Sequence, residues 1–151
     1  MAGFPTIPHR RQLWPPSWLD VTTGRGKAQV LVEHPDPAVR DLLARGLTQH
    51  GYRTVTCAGP GTDQPRALCP LLADEPCPAV SGADAVVFGL DQRDPDSRRV
   101  LDRLHEMHDS GRILRVIDPH PALRANLANS QHTLYRTVIA PLVRRLYDAL
   151  A

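Results

Sequence analysis

The sequence predicts an α/β domain in which a parallel sheet alternates with helices. Three observations point there. Short apolar runs of strand length recur along the chain, at 28–32, 83–90 and 113–117. Segments with apolar residues at helical spacing separate them, and glycine or proline marks the joins. The order reads βαβαβαβαβα, and alternation at this spacing implies parallel strands with helices on both faces.

The first unit is the clearest. Ala28–Val32 carries two β-branched valines and reads as a strand covered on both faces. Pro35 and Pro37 stop it, because proline has no N–H to give to a sheet ladder. Asp36 before Pro37 starts a helix: its carboxylate accepts from the first free N–H groups, and proline suits the first helical position. Ala38, Val39, Leu42, Leu43 and Leu47 form that helix's apolar face, and Gly51 ends it. Tyr52–Thr56 is the second strand, and 58–65 is a turn-rich loop. Arg66–Leu72 is expected to be a short helix and 74–82 loop again. Ala83–Leu90 is the third strand, the most apolar. Asp94–Pro95 opens a second Asp-Pro helix with Val100, Leu101 and Leu104 inside and Gly111 at its end. Ile113–Ile117 is the fourth strand, Pro121–Asn129 a weaker helix, and Thr133–Ile139 the fifth strand, closed by Pro141. Leu142, Val143, Leu146, Ala149 and Leu150 stripe the last helix. Residues 1–27 form an irregular, proline-rich arm, in which Trp14 and Trp18 either pack on the domain or meet a partner.

The 151 residues suffice for one domain with a core, and 42% hydrophobic with 23% charged residues is ordinary for a globular chain. A net charge of +2, with no long Lys/Arg run, excludes a basic stripe for nucleic acid. No apolar run approaches the roughly 20 residues of a membrane span. The arm lacks the apolar core of a secretory signal, so a cytoplasmic location is expected.

Several stretches together resemble the response-regulator receiver domain of bacterial signalling. AQVLVEHPDPAVRDLL resembles that family's opening strand, acidic turn and first helix, and GYRTVTCA resembles its second strand. ADAVVFGLD resembles the third strand, and VIAP the fifth. The likeness spans about 28–150, apart from an enlarged 57–82 region. It implies a flavodoxin-like (βα)5 sandwich with strand order 2-1-3-4-5.

A receiver accepts a phosphoryl group on an aspartate after the third strand. Acidic residues after the first strand help to hold Mg²⁺ there, and a lysine pairs with the phosphate. Aligned on the resemblance, the acidic pair falls on His34 and Pro35, the acceptor on Gly89 and the lysine on Ala140; only Pro141 matches. Glu33, Asp36 and Asp91 remain nearby, and Asp91 is the one carboxylate left near the acceptor position. The expectation is a pseudo-receiver: no enzyme, no catalytic residue and no cofactor, a module that works by contact with a protein partner or a second copy of itself. Arg136, Arg144, Arg145 and Asp148 would rim that face, on the last strand and helix. The arm is too short for a DNA-binding output domain, so output is expected through a separate partner.

A second reading rests on Cys57, Cys69 and Cys77, spaced C-x11-C-x7-C, each with proline close behind. Such loops can converge thiolates on zinc or an iron–sulfur cluster, with His50 or an acid as fourth ligand, and the protein would then be a thiol- or metal-based sensor. Buried structural thiols are the plainer alternative, since no C-x-x-C pair is present. His105, His108 and Asp109 on one helix face either bind metal weakly or stay solvated.

Overall fold

A computed structural model of the chain describes residues 28–60, 69–116 and 138–151. The arm with Trp14 and Trp18, the Pro121–Asn129 helix, Arg136 and residues 133–137 of the expected fifth strand lie outside the described residues.

Ten elements are described: β1 (Gln29–Glu33), α1 (Pro37–Gln49), β2 (Arg53–Cys57), a 3-10 turn (Pro70–Ala73), the single-turn α2 (Pro78–Ser81), β3 (Ala85–Phe88), α3 (Pro95–Met107), a second 3-10 turn (Ser110–Arg112), β4 (Ile113–Arg115) and α4 (Ala140–Leu150). The four strands form one sheet in the order β2-β1-β3-β4, and every pairing is parallel. β1 is buried along its whole length, as a strand with a neighbour on each edge must be.

Strand alternation splits the core in two. Leu31, Val86, Phe88, Val55 and Ile113 pack with Val80 of α2 and with Val100, Leu101 and Leu104 of α3. Val30, Val32, Ala85, Val87 and Leu114 pack with Val39, Leu43 and Leu47 of α1 and with Leu142 and Leu146 of α4. Each fully buried leucine or valine contributes about 1.5–3 kcal/mol by leaving water. The side chain of Ile139 seals α4 to α1: a Cβ added at Gly46 would lie 2.7 Å from its Cγ2.

Both Asp-Pro starts hold. Asp36 accepts from the N–H of Ala38 (2.9 Å) and Val39 (3.4 Å). Asp94 accepts from the N–H and the hydroxyl of Ser97, both at 3.0 Å. Gly51 takes φ of 87° just past α1, a conformation that costs other residues a Cβ clash.

Some expectations are corrected. Residues 78–81, expected as loop, form the single turn of α2, because Pro78 fits the first helical position after Cys77. α3 ends at Met107, where His108 turns extended, and Gly111 lies in the following 3-10 turn. The expected Arg66–Leu72 helix is a 3-10 turn at Pro70–Ala73 among the described residues. Val138 and Ile139, expected as strand, belong to a helical turn that runs into α4, so Pro141 opens a helix. Among the described residues the sheet therefore has four strands. None of the described helices is long and apolar enough to cross a membrane.

Candidate functional site

The carboxyl end of β1 carries the first candidate. Glu33 is the last strand residue and pairs in register with Cys57 on β2 and Phe88 on β3. His34 follows, and its side chain is fully buried. Its backbone N–H donates to the Cys57 carbonyl at 3.1 Å. Its carbonyl accepts from Arg40 Nη1 at 2.8 Å. Its Nδ1 accepts from the Asp36 N–H at 3.0 Å, so that nitrogen carries a lone pair. Three hydrogen bonds thus fix both the backbone and the ring.

The ring has a definite place. Gly89 N–H donates to the Glu33 carbonyl at 2.8 Å, which brings the start of the β3 loop against the end of β1. A Cβ built on Gly89 would meet His34 Cδ2 at 2.5 Å and the Glu33 carbonyl at 3.2 Å. The space a side chain at position 89 needs is filled by imidazole. Position 89 is thus blocked as well as bare.

The other carboxylates nearby are committed. Asp36 caps α1. Asp91 is exposed and holds Arg93, whose Nε and Nη2 donate to it at 2.9–3.1 Å. The guanidinium and the Arg93 N–H keep its carboxyl below the usual range. Ala140 and Pro141 are exposed in the first turn of α4, at a helix start and not at a strand end. Arg144 and Asp148 are exposed on α4, while Arg145 Nη1 donates to the Arg115 carbonyl at 3.1 Å and ties α4 to the end of β4.

The second candidate lies under the same end of β1, on its other face. Alternation points Glu33 to the side of Leu31, and the parallel register sets Cys57 beside it. The 3-10 turn and α2 close over them, bringing Cys69 and Cys77. These four side chains, with Leu31, Val80 and Val100 among the apolar neighbours, line one cavity of about 20 Å³, room for a single water or ion. All three cysteines are free thiols. Cys57 Sγ accepts from the Gly59 N–H at 3.4 Å. The N–H groups of Leu71 and Leu72 act on Cys69, and those of Ala79 and Val80 on Cys77, drawing each pKa down from longer range than a closed cap.

Burial dominates the electrostatics. Glu33 is 3% exposed. Desolvation therefore pushes its pKa from 4.5 up to about 7. Burial, with the neighbouring Glu33 charge second, pushes Cys57 up to about 12. Cys69 and Cys77 are raised for the same first reason. Burial thus disfavours charge on all four of these side chains.

The sequence reading offered His50 or an unnamed acid as a fourth group beside the cysteines; the acid that shares their cavity is Glu33. His50 caps the far end of α1 and is not part of the cavity lining. Strand alternation from Leu31 is the signal that could have found Glu33. His108 Nε2 bonds the Val80 carbonyl at 3.0 Å, and His105 faces Ser110. Among the described residues, no group of three or more His, Cys, Asp or Glu side chains could hold a metal ion. Compared with family models, curated proteins and solved structures, the chain finds no match.

Proposed function

We propose that this chain is a receiver-like regulatory module that acts by protein–protein contact and without an aspartyl phosphate. The observation that carries the reading is the His34 imidazole in the space beside Gly89. The parallel order β2-β1-β3-β4 is compatible with it. In this reading a fifth strand completes the flavodoxin-like order 2-1-3-4-5. The module is cytoplasmic and catalyses nothing. A receiver that has lost its acceptor keeps the fold at no cost in stability, since a cluster of unpaired carboxylates is itself destabilising.

The contact surface in this reading is the outer face of α4. Arg144, Tyr147 and Asp148 are exposed there, Tyr147 at 68%. Arg145 contributes less, because it is engaged with the Arg115 carbonyl. The partner is a protein, with a second copy of the chain as the simplest case. Sedimentation velocity on the full chain tests this, with and without acetyl phosphate and Mg²⁺. The distribution stays the same under both conditions, and Arg144→Glu shifts it toward smaller species if the partner is a second copy. A sedimentation change driven by acetyl phosphate overturns the reading.

A further inference from the structure

We propose that the outer face of α4 joins two copies of this chain about a two-fold axis, with the helices antiparallel, Arg144 of each copy against Asp148 of the other, and the two Tyr147 rings packed together. The proposal rests on the contact-module reading above and gives it a partner and a register.

Two observations choose this face. The first is a solvent-facing aromatic ring. Tyr147 is 68% exposed, against 40% for Met107, the other exposed large hydrophobic among the described residues. Leu142 and Leu146 bury the inner side of the helix, so the ring stands on a fixed support. Tyrosine and arginine are the side chains that anchor interfaces, within a charged rim. The second observation is the order of the charges. On α1, Asp41 precedes Arg45 by four residues, and the two pair at 2.9 Å along the helix. On α4 the order is reversed: exposed Arg144 precedes exposed Asp148. A pair in that order gains less within its own helix, because it opposes the helix dipole. The same two charges are complementary across an antiparallel neighbour.

The register follows from helix geometry. Arg144 and Asp148 stand about 6 Å apart along the axis and about 40° apart around it, so both face one way. A two-fold axis level with Leu146, midway between them, sets each against its opposite in the second copy. One operation makes both ion pairs, since a two-fold contact contains every pair twice. Tyr147 lies on the flank of the same face, and the axis brings it beside the same residue of the other copy. Arg145 stays out of the contact, tied to the Arg115 carbonyl. α3 lacks the combination: Arg98 and Asp102 repeat the reversed order, but Met107 lies about two and a half turns from Arg98, on the opposite side of the helix. A single helix of 11 residues offers only part of the roughly 800 Å² per partner of a standard interface, so association is weak and concentration-dependent.

Sedimentation equilibrium on the full chain over a wide concentration range tests this. Wild type shows a monomer–dimer equilibrium. Arg144→Asp and Asp148→Arg each turn two attractions into repulsions and weaken it roughly tenfold or more. The double exchange, Arg144→Asp with Asp148→Arg, restores opposite pairing and returns the dissociation constant to within about threefold of wild type. Tyr147→Ala weakens the dimer about tenfold. All three positions are exposed, so circular dichroism stays unchanged. A wild-type chain that stays monomeric up to roughly 1 mM overturns the proposal and leaves the face to a different protein. So does a double exchange that dimerises no more tightly than the single ones, which puts the contact elsewhere. Neither result touches the phosphate-independent reading, which the acetyl phosphate measurement decides.

Discussion

The imidazole of His34 stands where a side chain at position 89 would have to be, with Cδ2 at 2.5 Å from a Cβ built on Gly89. Hydrogen bonds from Asp36 and Arg40 hold His34 in place, so the ring cannot simply swing away. Gly89→Asp is therefore expected to destabilise the fold by about 1–3 kcal/mol, the usual cost of overpacking a filled site. His34→Ala in the same chain recovers part of that loss. Urea unfolding of the two single variants and the double variant measures the coupling; additive effects would show that the two positions do not compete for space.

Glu33 gives the protein a definite pH dependence. Its pKa is raised from 4.5 to about 7 in the fold, so the native state holds its proton longer than the unfolded chain does. The contribution to stability is full below pH 4.5, declines as pH rises through the window to about 7, and is flat above it. The span is about 3 kcal/mol at 1.36 kcal/mol per pKa unit. Glu33→Gln abolishes this slope and leaves the protein more stable than wild type at pH 8. Unfolding free energies of both forms across the range decide it, and parallel curves would show that the carboxyl is already paired.

The thiols are predicted to be slow. Cys57 sits at about 12 because it is buried beside Glu33, and the thiolate is the reactive form. In the native protein, Cys57 reacts with an aromatic disulfide reagent far more slowly than in urea, where all three cysteines titrate together. Rapid native modification of Cys57, located by peptide mass, would contradict the closed cavity.

The two helix starts should be worth similar amounts. Asp36→Ala and Asp94→Ala each remove an N-cap acceptor, at about 1 kcal/mol. The Asp94 variant also strands the Ser97 hydroxyl, so its loss should be the larger. Chemical denaturation separates them.

Much of the frame was legible in the sequence, for local reasons. The strands at 29–33 and 85–88 are continuous apolar runs, and both Asp-Pro pairs carry their own capping chemistry. What failed was non-local or short. The single turn at Pro78–Ser81 is too brief to show a period. Val138 and Ile139 are β-branched, yet they enter a helix because Ile139 is drawn into the gap over Gly46. The meeting of Glu33 with three cysteines needs the parallel register of β1 with β2 and the fold-over of 70–81, which no one-dimensional pattern reveals. The missing side chain at Gly89 was visible in the residue types, but the His34 ring that fills the space beside it was not.

The central proposal is that the carboxyl end of this sheet does not receive a phosphoryl group. Intact mass spectrometry at neutral pH, after incubation of the full chain with acetyl phosphate and Mg²⁺, tests it most directly. The account predicts an unchanged mass. An acid-labile gain of one phosphate, whether at Asp91 or elsewhere, would contradict it.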